Sequence, residues 1–270
     1  MIKSKLIKED KQKNNTTKIN HLKGMIFAAL FAAFTAAIAT FKIPLGFTPV
    51  PITLQTVGVL LSGAVLGPYY GALAMILYLL VGALGLPIFA GGGSGIAVLF
   101  GYTGGYLFSY PVAALVIGWL TYSKKSRFIS YAATSLLGAF AMAVYLDIFF
   151  KLGIMKICNI KTKSCTTVVS QMTNFQYIMS VVSLIVILSM LLVSYYLIRK
   201  KLVSGNTILS MFAGTVIIYI GGSLQGTYLT GLPWTAIFVG WVLPFIIGDA
   251  IKLFLSAYLA DGLNLRKYLK

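Results

Sequence analysis

Asp249 and Lys252 stand three residues apart in the run Leu243-Pro244-Phe245-Ile246-Ile247-Gly248-Asp249-Ala250-Ile251-Lys252, which is otherwise apolar. The chain has only five acidic residues. Glu9, Asp10 and Asp261 lie in tails or flanks, and Asp147 falls near the end of a long apolar run. An ionisable group at membrane depth costs roughly 3 kcal/mol or more, so it marks a functional site or a pair by default. The i,i+3 spacing puts both groups on one helix face. A carboxylate accepts hydrogen bonds and an ammonium donates them, so the pair is equipped either to neutralise itself or to hold a polar ligand. Proton transfer is a third chemistry open to it.

Other chemistry is poorly represented. The single histidine, His21, sits in a basic tail and reads as solvated. There is no H-E-x-x-H motif, no plausible Ser-His arrangement and no pair of carboxylates placed at a cleft, so an intramembrane enzyme is disfavoured and neither a metal nor a cofactor is expected. No G-x-x-x-x-G-K-[ST] loop is present, so this chain is not itself an ATPase.

The elements that position the pair are set by composition. Hydrophobic residues are 59% of the chain and charged residues 10%, with a mean hydropathy of +0.90. That leaves too little polar surface for a soluble protein of this size. The apolar runs approach the roughly 20 helical residues that cross a bilayer, so the expected class is an all-α polytopic membrane protein. Eight spans are expected, at about 24–40, 52–66, 71–84, 104–121, 128–150, 177–198, 207–224 and 245–260. Pro244 removes a backbone donor inside the long segment 234–260. A short re-entrant or interfacial piece ending near Leu243 is therefore preferred to one kinked, tilted helix.

The net charge of +17 follows the topology rather than a nucleic-acid face. With both termini cytoplasmic, sixteen of the 22 basic residues fall inside, which agrees with the positive-inside rule. Lys42, Lys151, Lys156, Lys161 and Lys163 fall outside. This orientation brings three irregular regions to the outer face: residues 49–56, the glycine-rich connection 86–106, and the first turns of the last span. Non-helical backbone at that depth is tolerated where it lines a cavity, so an outward-facing ligand pocket is expected.

In the first span, Ala28, Ala32 and Ala36 recur every four residues, and Ala29, Ala33 and Ala37 form an adjacent stripe. Such faces let helices approach closely. Packing within the chain and docking of a membrane partner both remain open.

Several of these stretches together resemble a known family. Val50-Pro51-Ile52-Thr53-Leu54-Gln55-Thr56, Leu66-Gly67-Pro68-Tyr69-Tyr70-Gly71-Ala72, Gly85-Leu86-Pro87-Ile88-Phe89-Ala90-Gly91-Gly92, Thr103-Gly104-Gly105-Tyr106-Leu107 and Pro244-Phe245-x-x-Gly248-Asp249-x-x-Lys252 occur in the order found in BioY proteins. BioY proteins are the biotin-specific substrate-binding (S) subunits of energy-coupling factor transporters. The resemblance covers about 24–120 and 209–260. It implies a six-helix core, with 1–23 and 261–270 as cytoplasmic tails. Residues 121–208 would then be an inserted helical hairpin with an outer loop at about 151–176. Ala37-Ile38-Ala39 fits a signal-peptide cleavage site, but the resemblance includes this helix, so a retained first span is expected. Tyr102 stands where the family usually has Pro, and Ser109 where Gly is frequent. Cys158 and Cys165 lie in the outer loop, either as a disulfide or as two thiols.

The resemblance implies high-affinity binding of biotin in a multi-pass protein of the plasma membrane. Asp249 and Lys252 would read the polar ends of biotin, with the carboxylate as an alternative partner for Lys252, and Thr53 and Gln55 would add hydrogen bonds. Tyr78, Phe89, Tyr106 and Trp234 are candidate walls. Backbone N–H groups around Gly91, Gly92 and Ser94 would reach the carboxylate, because glycine allows close approach. The implied partners are a transmembrane coupling protein, EcfT, and two ATP-binding subunits, docked on the alanine stripes. Simpler roles compete: a structural ion pair for Asp249–Lys252, an interhelical bond for Thr53 and Gln55, and an interfacial belt for the tryptophans. An ion-coupled transporter working alone, with Asp249 as the proton site, is the alternative function, and a structural membrane protein the blandest.

Overall fold

The computed structural model describes residues 2–45, 48–122, 155–159, 164–168, 189, 192–193 and 195–262. The chain divides into two compact units, one formed by residues 1–124 and 202–270 and the other by 125–201. The expected spans at about 128–150 and 177–198 and the end of the C-terminal tail lie largely outside the described residues.

In the first unit, helix α1 (Ile2–Ala39) is continuous. Its basic first half, expected as a separate tail, is therefore helical, and only Ile19–Ala39 is apolar enough to cross a membrane. Strands β1 (Lys42–Ile43) and β2 (Ile52–Thr53) follow as a short antiparallel hairpin. Helix α2 (Gln55–Ala83) comes next. Helices α3 (Ile96–Leu99) and α4 (Gly104–Tyr122) complete the N-terminal half. After the second unit come α5 (Gly205–Thr230), α6 (Trp234–Trp241), a 3-10 turn (Leu243–Phe245) and α7 (Ile246–Ala257).

Helix α2 is two antiparallel arms rather than one rod. Gly67 at φ +83°, ψ −176° breaks it, a conformation suited to glycine, and Pro68 then restarts the helix with its φ already fixed. The reversal is direct: a Cβ built on Gly71 would lie 2.9 Å from the Cα of Gly63. Gln55 Nε2 also reaches the Tyr78 hydroxyl at 2.6 Å across 23 residues, a separation of about 35 Å along a straight helix. The arms, residues 55–66 and 68–83, correspond to the expected second and third spans. Tyr122 donates from α4 to the carbonyl of Val65 at 2.8 Å, satisfying an acceptor that the end of the first arm would otherwise leave open.

Of the described helical runs, Ile19–Ala39, Gly104–Tyr122 and Gly205–Thr230 are each long and apolar enough to cross a membrane, and Gln55–Ala83 reaches that length only when its two arms are taken together. Helix α5 ends at Gly231, whose left-handed φ of +68° lets its N–H return to Thr227 at 2.9 Å, the usual glycine stop. The break before the last helix falls at Val242–Phe245, as Pro244 requires. The core is built from Ala28 and Ala32 of α1, both arms of α2, the inner faces of α4 and α5, and Ile237, Trp241 and Phe245.

In the second unit, β3 (Met155–Asn159) and β4 (Ser164–Val168) pair antiparallel, with Cys158 opposite Cys165 in the register. The all-α expectation is thus corrected at two short hairpins, which leaves a mostly helical protein. Residues 155–168 were expected as outer loop and Ile52–Thr53 as the start of the second span, because strands of two or five residues carry too little pattern to register. Thr166, Thr167 and Val168 nonetheless carry β-preferring side chains.

Candidate functional site

The arms of α2 are short for straight spans, and irregular backbone adjoins both ends, β2 before the first and residues 84–103 after the second. A cavity of about 360 Å³ lies against this irregular backbone, within the range of small-molecule sites. Its wall draws on all three regions singled out from sequence: Pro49, Val50, Pro51 and Thr53; Phe89, Ala90, Gly93 and Tyr102; and Asp249 with Lys252.

Asp249 and Lys252 form the most buried charged part of that wall. Each is 8% exposed, and Lys252 Nζ lies 2.7 Å from Asp249 Oδ1. Asp249 occupies the first turn of α7, where the positive end of the helix dipole favours a carboxylate. Its second oxygen, Oδ2, accepts from the Tyr219 hydroxyl at 2.6 Å. One ammonium N–H of Lys252 is committed to Asp249, which leaves two donor directions; the carboxylate keeps further lone pairs. A donor and an acceptor therefore sit side by side on the cavity wall.

Gln55 is the second polar centre. Its amide oxygen accepts from Thr53 Oγ1 and from the Tyr110 hydroxyl, each at 3.3 Å, and its Nε2 donates to Tyr78. The Tyr78 hydroxyl in turn donates to the carbonyl of Ile88 at 3.0 Å. This chain ties β2, both arms of α2 and α4 to the loop that carries Phe89. The Phe89 ring meets Tyr78 edge-on at 5.6 Å. Thr56 also lines the cavity, and its buried hydroxyl has no hydrogen-bond partner among the described residues.

Of the sequence-predicted residues, Asp249, Lys252, Thr53, Gln55, Phe89 and Tyr106 come together on the wall. Tyr78 is fully buried one layer behind, holding Gln55 and the loop. Gly91, Gly92, Ser94 and Trp234 are not on the wall. Gly91, Gly92 and Ser94 are exposed, Gly91 lying beside the stem of Lys42, and Trp234 is 43% exposed at the start of α6. The glycine-rich loop instead contributes Ala90 and Gly93.

Sequence reasoning missed Tyr219, Tyr110 and Lys42 as wall residues. Tyr219 had a usable signal, a lone hydroxyl within Ile217-Ile218-Tyr219-Ile220. Trp241 supports the wall from behind. Its carbonyl accepts from the Tyr106 hydroxyl at 2.8 Å, and its ring meets Tyr102 edge-on at 5.9 Å.

The alanine stripes separate. Ala28 and Ala32 are buried and Ala36 packs against the same core, so that stripe serves internal packing. Ala29, Ala33 and Ala37 are exposed. His21, expected to be solvated, is exposed, but its Nδ1 is 2.7 Å from the Tyr70 hydroxyl.

Comparison with known proteins agrees with this architecture. The BioY family model matches residues 10–194 and 174–268. Biotin transporter BioY of Thermotoga maritima is 42% identical over 142 residues, 52% of this chain and 82% of that one. Biotin transporter BioY2 of Lactococcus lactis is 39% identical over 130 residues, 48% of this chain and 70% of that one. The crystal structure of the S-component for biotin from an ECF-type ABC transporter shares the fold, with a TM-score of 0.56 at 21% identity over 93% of this chain and 97% of that one. Matched along nearly its whole length, with several membrane-spanning helices, this chain is a multi-pass membrane protein of the BioY family.

Proposed function

We propose that this protein is the biotin-binding membrane subunit of an energy-coupling-factor transporter, acting in biotin uptake across the plasma membrane. The observation that carries the reading is the buried donor–acceptor pair on the cavity wall. A ureido group offers two N–H donors and one carbonyl acceptor. Asp249 accepts and Lys252 donates from adjacent positions, so the pair matches that group edge to edge. Phe89, Tyr106 and Tyr110 supply apolar surface for the fused rings, as a small-ligand site requires. Thr53, Gln55 and Thr56 add hydrogen-bonding groups beside them. The names of the relatives, biotin transporters, agree with this chemistry.

The topology of the proposal has both termini cytoplasmic and the cavity facing outward, with eight spans if residues 121–208 add a transmembrane hairpin to the six-helix core. Energy comes from partners, the coupling protein EcfT and two ATP-binding subunits. Docking falls to the exposed stripe of Ala29, Ala33 and Ala37, since the neighbouring stripe is occupied within the chain.

The test is uptake of labelled biotin into vesicles containing this chain, with and without the coupling protein and ATPases. ATP-dependent uptake only with the partners supports the proposal. Uptake by the chain alone, abolished by an uncoupler and indifferent to ATP, supports the ion-coupled alternative.

A further inference from the structure

Among the described residues, three charged side chains line the cavity: Lys42, Asp249 and Lys252. Asp249 and Lys252 are committed to each other at 2.7 Å, and Tyr219 holds the remaining carboxylate oxygen. Among the described residues no acidic side chain answers Lys42. The cavity therefore carries one uncompensated positive charge. That charge sits at an exposed position, whereas the ion pair is buried, so the cavity runs from a neutral polar floor to a cationic edge.

The position of Lys42 is built rather than incidental. Its backbone is fixed by strand pairing opposite Thr53, itself a wall residue. Its side-chain stem then crosses the face of Gly91: a Cβ there would fall 2.5 Å from Lys42 Cδ and 3.4 Å from Lys42 Cβ. Gly91 also adopts φ +65°, a conformation that calls for glycine. The turn thus lies against the aliphatic stem of Lys42, a residue that itself lines the cavity.

We propose that Lys42 is the anion-recognition residue of this site, pairing with the carboxylate of the ligand and making the site selective for the free acid over neutral esters and amides. The inference rests on the reading that the cavity takes biotin, whose carboxylate ends a flexible chain remote from the ureido group. Because the Asp249–Lys252 pair is assigned to the ureido group, the carboxylate at the far end of the chain falls to Lys42. A charge-assisted contact at a partly exposed edge is worth about tenfold in affinity, and this preference weakens as salt screens the edge.

The test is the affinity of the purified full chain for biotin and for biotin methyl ester, measured for wild type, Lys42→Gln and Lys42→Arg. The expected result is that wild type prefers the acid by about tenfold, Lys42→Gln brings the two affinities together, and Lys42→Arg keeps the preference. The proposal is overturned if wild type binds acid and ester equally. It is also overturned if Lys42→Gln leaves the ratio intact, whether both affinities are unchanged or both fall together. Binding of neither compound by wild type would remove the biotin reading, and this inference with it; loss of the ratio effect alone would leave the biotin reading standing.

Discussion

The Tyr219 hydroxyl of α5 donates to Asp249 Oδ2 of α7 at 2.6 Å, while Lys252 engages Oδ1 at 2.7 Å. The carboxylate is thus held from both sides, by a group one turn along its own helix and by a group on a separate helix. Tyr219→Phe keeps the ring and removes only this hydroxyl. Losing one neutral donor to a charged acceptor costs about 1.5 kcal/mol. Biotin affinity is expected to fall roughly tenfold, with the protein remaining monodisperse in detergent. Unchanged affinity would mean that the Asp249 orientation does not matter to the ligand.

A purely structural ion pair and a binding pair respond differently to removal of both charges. Lys252→Ala alone strands a buried carboxylate and is expected to cost about 3 kcal/mol of stability. Asp249→Asn with Lys252→Met leaves no charge, so most of that stability returns. The double variant should melt near wild type but bind biotin at least about a hundredfold more weakly, two polar contacts being lost. Normal binding by a stable double variant would assign the pair to structure alone.

Gln55 links Thr53, Tyr78 and Tyr110 through its amide. Gln55→Leu takes the acceptor from the buried Tyr110 hydroxyl, at about 1–3 kcal/mol, while Tyr78 keeps its bond to the Ile88 carbonyl; it should lower both thermal stability and ligand affinity. Tyr78→Phe is milder. It unties the Ile88 carbonyl and is expected to speed amide exchange in residues 88–95 while the rest of the core stays protected. Uniform exchange across the chain would contradict a local tether.

The separated alanine stripes make opposite predictions. Ala28→Leu inserts a large side chain at a fully buried position and should destabilise the fold by about 1–3 kcal/mol. Ala29→Leu and Ala33→Leu lie on the exposed stripe and should leave biotin binding intact while reducing co-purification with the coupling protein. Intact co-purification of the Ala29→Leu, Ala33→Leu double variant would move docking to another face.

Much of the site was legible because its signals are local. An ionisable pair in an apolar run, a Gly-Pro turn between apolar stretches, and a proline inside a long hydrophobic segment each declare themselves within ten residues. The break at Gly67, the restart at Ile246 and the burial of Asp249 all follow from such signals. Tyr219 shows in sequence as a lone hydroxyl in an apolar run, but its partner does not, because the acceptor lies 30 residues away. Lys42 reads from sequence only as a loop charge counted for topology. Its role depends on Gly91, which strand pairing and a left-handed turn bring beneath it. Trp234 illustrates the reverse error: an aromatic near the site in sequence, but at the edge of the helix bundle, where amphipathic rings favour the interface.

On this reading the chain alone holds the biotin site. Equilibrium binding of labelled biotin to the purified protein, in detergent and without ATP or partners, tests it most directly. Saturable one-to-one binding, competed by unlabelled biotin and lost in the Asp249→Asn, Lys252→Met variant, is the predicted result. A folded wild-type protein that binds no biotin would contradict the claim.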